Sequence, residues 1–324
     1  MRISLPIKFL TALILLCIVF LLALMFGSVN YSLSFLIDGF LHGAHEKQMM
    51  ILTELRLPRN VAAVFVGAAL GISGTIMQAI TRNPLADPGL LGVSAGANAA
   101  LAVVLAFLPG LAFSGMVLAC FIGAALGTLL VLFLSQSKDM YKIVLAGAAI
   151  SAFLTAVSSG IGLIFKTSKG MNMWTSGGLI GVTWNEVWLT VPIILATLLF
   201  SLFFTKQIGI LTMSDEVATG LGLSIKKLRV ILLFVIAVLT GLAVSLIGDL
   251  AFVGLIVPHF ARFIVGANYK AILPMSAFVG AFFLLLADII SRTLNPPFEI
   301  PIIAIISVIG FPFFLYIVRK GVAS

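Results

Sequence analysis

Three arginines, Arg56, Arg59 and Arg292, stand at the ends of long apolar stretches. A guanidinium presents a flat fork of donors that grips carboxylates two at a time. The group therefore reads as a patch for acidic residues of an external partner, against the plainer reading of arginines that snorkel to a bilayer surface. Two acids, Asp249 and Asp288, lie near the ends of apolar stretches, Asp288 on the same one as Arg292. An acid inside a membrane suggests an ion or proton site, but Asp288 precedes Arg292 by four residues, the spacing of a pair on one helix face. His42 and His45 beside Glu46 could bind a metal on a helical turn with further ligands, or belong to a solvated loop. His259 and Arg262 read as groups that pair with backbone near a helix break.

Two further stretches are chemically unusual without being catalytic. Asn83-Pro84-Leu85-Ala86-Asp87-Pro88 interrupts two apolar runs, and its prolines remove two backbone donors and force extended geometry on Asn83 and Asp87. Non-helical backbone at membrane depth survives only inside protein or beside a water-filled cavity. The break thus reads either as a tight turn or as a constriction of a pathway, with Ser94 and Asn98 facing it. The second stretch, 214–228, starts with Ser214-Asp215-Glu216, a helix cap followed by an acidic first turn. It continues through Ala218 and ends at Gly220-Leu221-Gly222, within two turns. A short capped helix between long spans is suited to docking on a soluble partner; a solvated connector is the alternative.

These groups must be positioned by membrane helices. The chain has 324 residues, 61% hydrophobic and 9% charged, with a mean hydropathy of +1.25, whereas soluble domains carry about 25% charge. The apolar blocks have the roughly 20-residue length that crosses a bilayer as a helix, so the expectation is an all-α integral membrane protein. About ten crossings are expected, at 9–29, 60–80, 92–108, 114–134, 143–165, 187–205, 230–248, 250–266, 274–290 and 302–318. The first block is longer than a signal-peptide core and reads as an uncleaved helix. Cys17 and Cys120 lie in apolar helices and read as small hydrophobes, not as a disulfide. Trp174, Trp184 and Trp188 mark an interface, and Gly177-Gly178 suggests a short surface helix beside them.

Placing both termini in the cytoplasm leaves Lys47, Arg56, Arg59, Lys166, Lys169 and Arg292 outside and the other thirteen of the 19 basic residues inside, as the positive-inside rule asks. Gly67, Gly71 and Gly74, and Gly123 and Gly127, have the small-residue spacing of closely packed helices. Helices 2 and 7 run in opposite directions and are each followed by a Pro/Gly break, as an inverted repeat of helices 2–5 and 7–10 would produce. No P-loop, H-E-x-x-H or C-x-x-C occurs, so no catalytic or metal site is expected, and no basic run with interleaved aromatics suggests nucleic acid.

Taken together, LRLPRN (Leu55–Asn60), the run from Gly67 to Ala97, LAGAAIS (Leu145–Ser151), WTSGGLIGVTW (Trp174–Trp184), SDEVATGLGLSIKKLR (Ser214–Arg229), GDLAFVGLIVPHFARFIVG (Gly248–Gly266), LLLADIISR (Leu284–Arg292) and PPFEIP (Pro296–Pro301) resemble the FecCD-type permeases of ABC importers for iron-siderophores, haem and cobalamin. The resemblance implies the type II importer permease fold and a bacterial cytoplasmic membrane. It also implies a second, identical or similar permease, two ATPase subunits that use the ATP, and an extracytoplasmic binding protein. This chain would bind no cofactor. By the same analogy Arg56, Arg59 and Arg292 would dock the binding protein, and Ser214–Leu228 would couple to the ATPase. Asn83–Pro88 would border the cytoplasmic gate, and helix 5, Gly177-Gly178 and helix 10 would line the pathway. The PP-x-E-x-P form leans towards iron-siderophore cargo over haem or cobalamin. Ile302-Ile303, where the family usually has glycine, and Phe311, where a small residue is commoner, depart from the pattern. A stand-alone secondary transporter using Asp249 and Asp288 is the competing reading.

Overall fold

The computed structural model describes residues 4–42, 46–135 and 140–319. Among them there are helices and no strands. In chain order the helices are α1 (Leu5–Met25), α2 (Leu33–His42), α3 (Glu46–Ile51), α4 (Leu57–Thr81), α5 (Val93–Phe107), α6 (Phe113–Ser135), α7 (Met140–Ile164) and α8 (Ser168–Thr175). They continue with α9 (Trp184–Leu202), α10 (Thr205–Leu211), α11 (Asp215–Gly220), α12 (Ile225–Ile247), α13 (Val253–Val265), α14 (Tyr269–Thr293) and α15 (Ile302–Arg319). A π-helical turn, Leu52–Arg56, joins α3 to α4, and a 3₁₀ turn, Pro88–Leu91, leads into α5.

Seven helical runs are long and apolar enough to cross a membrane: α1, Lys47–Thr81, Phe113–Leu134, Lys142–Ile164, α9, α12 and α14. Three shorter apolar helices, Val93–Phe107, Val253–Val265 and Ile302–Ile317, accompany them. The chain is therefore a multi-pass membrane protein. Each of the ten apolar stretches picked from the sequence overlaps one of these helices. Five further short helices accompany them: α11 at the expected helix start, α8 just before Gly177-Gly178 where a short surface helix was expected, and α2, α3 and α10 in what read as connections, too short to give an apolar period.

α4 is the central element, surrounded by α9, α12, α13 and α14. Its small residues explain how. A Cβ added at Gly67 would fall 2.2 Å from the Gly280 carbonyl oxygen, at Gly71 2.3 Å from that of Ser276, and at Gly74 2.0 Å from that of Gly254. Backbones of α4, α13 and α14 thus touch where any larger residue would separate them. Gly96 and Gly123 bring α5 and α6 together in the same way. By contrast α1 and α7 present mostly exposed apolar side chains, the surface expected where lipid or another subunit is the neighbour.

Candidate functional site

At its first turn α4 carries Arg59, whose guanidinium is fully engaged. Nε and Nη2 donate to Asp288 Oδ1 at 3.0 and 2.8 Å, while Nη1 and Nη2 grip Glu299 at 2.8 Å each. Arg292, one turn beyond Asp288 on α14, pairs with its other oxygen at 3.1 Å and reaches Ala23 O and Asn60 Oδ1. Arg56 donates to the carbonyls of Leu24 and Val29 and lies over the Tyr31 ring at 4.7 Å.

The structure corrects the expected outward patch. Arg56 and Arg292 are only 7% and 4% exposed, and their donors are spent on internal acceptors. Burying guanidiniums is tolerable here because carboxylates and helix-end carbonyls replace the lost water. The spacing argument for an Asp288–Arg292 pair holds, but Asp288 also ties α14 to α4. Glu299, in the quoted PPFEIP segment, was passed over as a partner. A cavity of about 220 Å³ beside Arg56, Arg59, Arg292 and Glu299 is what this end offers to an approaching group.

At the opposite end of α4 the helix stops at Arg82, in the left-handed conformation with φ 51°. Asn83 then caps the turn: Leu85 N–H donates to its Oδ1 at 2.9 Å and Ala86 N–H to its carbonyl at 3.1 Å. His259 on α13 bonds Pro84 O at 3.0 Å, as a break-pairing role required. Asp87 Oδ1 accepts from Gly89 N–H at 2.8 Å and caps the 3₁₀ turn. Arg262 bonds Gln78, which in turn donates to Leu255 O. Ser94, in the first turn of α5, lines a polar cavity with Asp87 and Asn98.

α11 starts where the sequence placed it. Ser214 Oγ accepts from Val217 N–H at 3.4 Å, and Asp215 and Glu216 occupy the first turn. Ala218 is buried, but Val217 and Leu221 are 48% and 62% exposed. Gly222 adopts φ 80° and lets the chain reverse into α12. Asp215 joins this helix to the break: Arg82 Nη2 bonds it at 2.5 Å, Arg229 Nη2 at 3.1 Å, and Arg82 Nε bonds Leu211 O at 3.0 Å. Burial acts to raise the Asp215 carboxyl, but the Arg82 hydrogen bond and the Arg229 charge hold it below the ordinary carboxylate value. The sequence reading named Asp215 and Asn83–Pro88 separately and missed the contact between them. Arg82, directly before the break, was the available signal.

Gly177 and Gly178 take part in a junction between helices. Gly177 is buried at φ 75° and its carbonyl accepts from Ile302 N–H at 3.4 Å, while Gly178 N–H donates to Ile247 O at 3.0 Å. They join the end of α12 to the start of α15, with Ile302 fully buried at that contact. Trp184 is tied down by a bond from Nε1 to Thr53 O at 2.8 Å, and Trp188 is exposed. The His42, His45 and Glu46 grouping falls outside the described side chains. Among the described residues no group of three or more His, Cys, Asp or Glu could hold a metal.

Comparison with known proteins adds independent findings. The FecCD transport family model matches residues 15–320. The chain is 39% identical over 311 residues to the iron(3+)-hydroxamate import system permease protein FhuB of Bacillus subtilis, covering 94% of this chain and 81% of that one. It is 36% identical to the Fe(3+) dicitrate transport system permease protein FecC of Escherichia coli, over 83% of each chain. It is 37% identical to the hemin transport system permease protein HmuU of Yersinia pestis, again over 83% of each. Among solved structures, a metal-chelate type ABC transporter in an inward-facing conformation superposes with a TM-score of 0.86 at 28% identity, covering 98% of this chain and 100% of that one.

Proposed function

The chain belongs to the FecCD transport family, and from that premise we propose that it is the permease subunit of an ATP-driven importer that carries iron(III)-siderophore complexes inward. Relatives named for hydroxamate and dicitrate iron complexes support that cargo class. The hemin permease at 37% identity favours haem as the second reading. We read the seven long and three shorter apolar helices as ten crossings with both termini in the cytoplasm of a bacterial plasma membrane. The chain itself performs no catalysis. ATP is hydrolysed by two partner ATPase subunits, a second permease completes the pathway, and an external binding protein delivers the cargo.

One observation carries the coupling part of this reading. α11 exposes Val217 and Leu221 on a short capped helix, while Asp215 on the same helix holds Arg82 at the Asn83–Pro88 break. An ATPase seated on the apolar face would pull on the break through one ion pair, so ATP-driven motion would reach the gate directly. The test is reconstitution of the permease with its ATPase in liposomes. Val217→Asp with Leu221→Asp is expected to abolish ATPase co-purification and uptake while the permease stays folded. Undiminished uptake would remove the coupling role.

Docking of the binding protein needs a revised chemistry. A partner carboxylate entering the cavity beside Arg59 would compete with Glu299 for its fork. Glu299→Gln frees that fork and is expected to tighten docking at low salt; unchanged affinity would move the docking site elsewhere.

A further inference from the structure

A polar cavity of about 260 Å³ lies between two breaks in the helical bundle, the one after α4 and the one between α12 and α13. Asp87, Ser94, Asn98, Thr155, Thr240 and Asp249 all line it, and the lining contains no Lys, Arg or His. Leu70 also lines it, eleven residues from the end of α4, which is about 16 Å along a helix axis. The connector that leaves α4 at Arg82 therefore turns back towards the bundle, where Asp87 is half-buried and its Oδ2 is shielded from solvent. Arg82 on α4 and His259 and Arg262 on α13 lie outside the lining.

The donors in this cavity are poorly satisfied by the protein itself. Asp87 Oδ2 is shielded and has no partner, and the Asp249 charge acts on Asp87. Two carboxylates sharing a pocket repel unless something positive lies between them. Thr240 is 3% exposed, and its hydroxyl has no hydrogen-bond partner. A helical threonine ordinarily bonds the carbonyl one turn back, as Thr75 and Thr128 do in this protein. Thr240 is instead left with its oxygen unclaimed at the cavity wall.

Carboxylates, hydroxyls and an amide oxygen, with no sulfur or imidazole, are the donor set of hard cations. The volume accommodates roughly eight waters at about 30 Å³ each, so an ion could enter with much of its hydration shell. Two carboxylates with water completing the coordination is an arrangement that suits Mg²⁺. We propose that this cavity binds a hydrated hard metal cation, which ties the Asp87 break to the Asp249 break. The ion is a positioning ligand distinct from the transported cargo. Holding two re-entrant segments of opposite helices together, it sets how far they can separate when the transporter changes state.

The test is thermal unfolding of the full-length protein in an uncharged detergent, titrated with MgCl₂ or NaCl at ionic strength fixed by choline chloride. A saturable rise in Tm with either metal salt supports the proposal, and the salt that acts identifies the charge of the ion. Asp249→Asn is expected to raise the Tm measured in choline alone, because it removes the repulsion, and to abolish the metal response. Thr240→Val, which keeps the carboxylates, should weaken the response about tenfold, the loss of one good oxygen ligand. The proposal is overturned if the wild type unfolds alike in all three salts. It is equally overturned if both variants keep the full metal response. These readouts do not involve transport, so they stand or fall apart from the cargo assignment.

Discussion

At one end of α4, Arg59 and Arg292 share Asp288 where water is nearly excluded; at the other, Arg82 and Arg229 share Asp215 with solvent at hand. The residue types are the same and the physics differs. In the buried group each ion has lost its hydration, so removing one partner strands the others. In the exposed group water can replace either partner, and an exposed pair contributes little to stability. The first arrangement is suited to holding α1, α4 and α14 in register. The second can be remade cheaply, which is what the proposed contact between a docking helix and a gate would require.

The largest effect that would break this contrast is at Arg59. Arg59→Met leaves Asp288 buried with Arg292 alone and is expected to cost about 3–5 kcal/mol, read from unfolding in detergent. A loss no greater than that of an exposed pair would erase the distinction. Asp215→Asn should cost less than about 1 kcal/mol in the same assay. Its ATP-driven uptake should nevertheless fall about tenfold, the size of an ordinary coupling free energy. Equal loss in both assays would make Asp215 merely structural.

Salt sharpens the comparison further. Raising salt from about 0.1 M to 1 M shortens the screening length from about 10 to 3 Å. The double-mutant interaction energy of Asp215 with Arg229 should shrink accordingly, while that of Arg59 with Asp288 should persist. The smallest expected effect is on pH dependence. Because the folded Asp215 carboxyl titrates below its ordinary value, its contribution is present above the unfolded value near 3.9 and is lost as pH falls through the folded one. The stability difference between wild type and Asp215→Asn should therefore be flat from pH 8 to 5 and vanish well below pH 4.

Local signals in the sequence were sufficient for much of this. Apolar blocks located the long helices, the glycines at 67, 71 and 74 announced a crowded central helix, and Ser214 announced the start of α11. What failed was long-range pairing. Arg59 meets Asp288 and Glu299 across 229 and 240 positions, and no spacing rule connects residues so distant. The charge-side rule flagged Arg56, Arg59 and Arg292 as exceptions, but it counts charges and is blind to their partners, so buried ions were taken for a surface. The contacts of Gly177-Gly178 were out of reach for a related reason. A left-handed glycine suits a loop, a path or a junction equally well, and no sequence pattern shows the Ile247 and Ile302 contacts it makes.

The helical run from Lys47 to Thr81 is 35 residues long, about 52 Å at the rise of an α-helix, against a hydrocarbon core of about 30 Å. A rod of that length would serve as a lever. Its notch of glycines against α13 and α14 is the natural fulcrum, since bulky side chains that would resist rocking are missing there. A tilt of about 5° about Gly71 would displace the Lys47 tip, about 36 Å away, by roughly 3 Å and the Thr81 tip, about 15 Å away, by roughly 1 Å. Pressure on the Lys47 end would then reach Arg82 as bodily movement, with no chain of side-chain rearrangements in between.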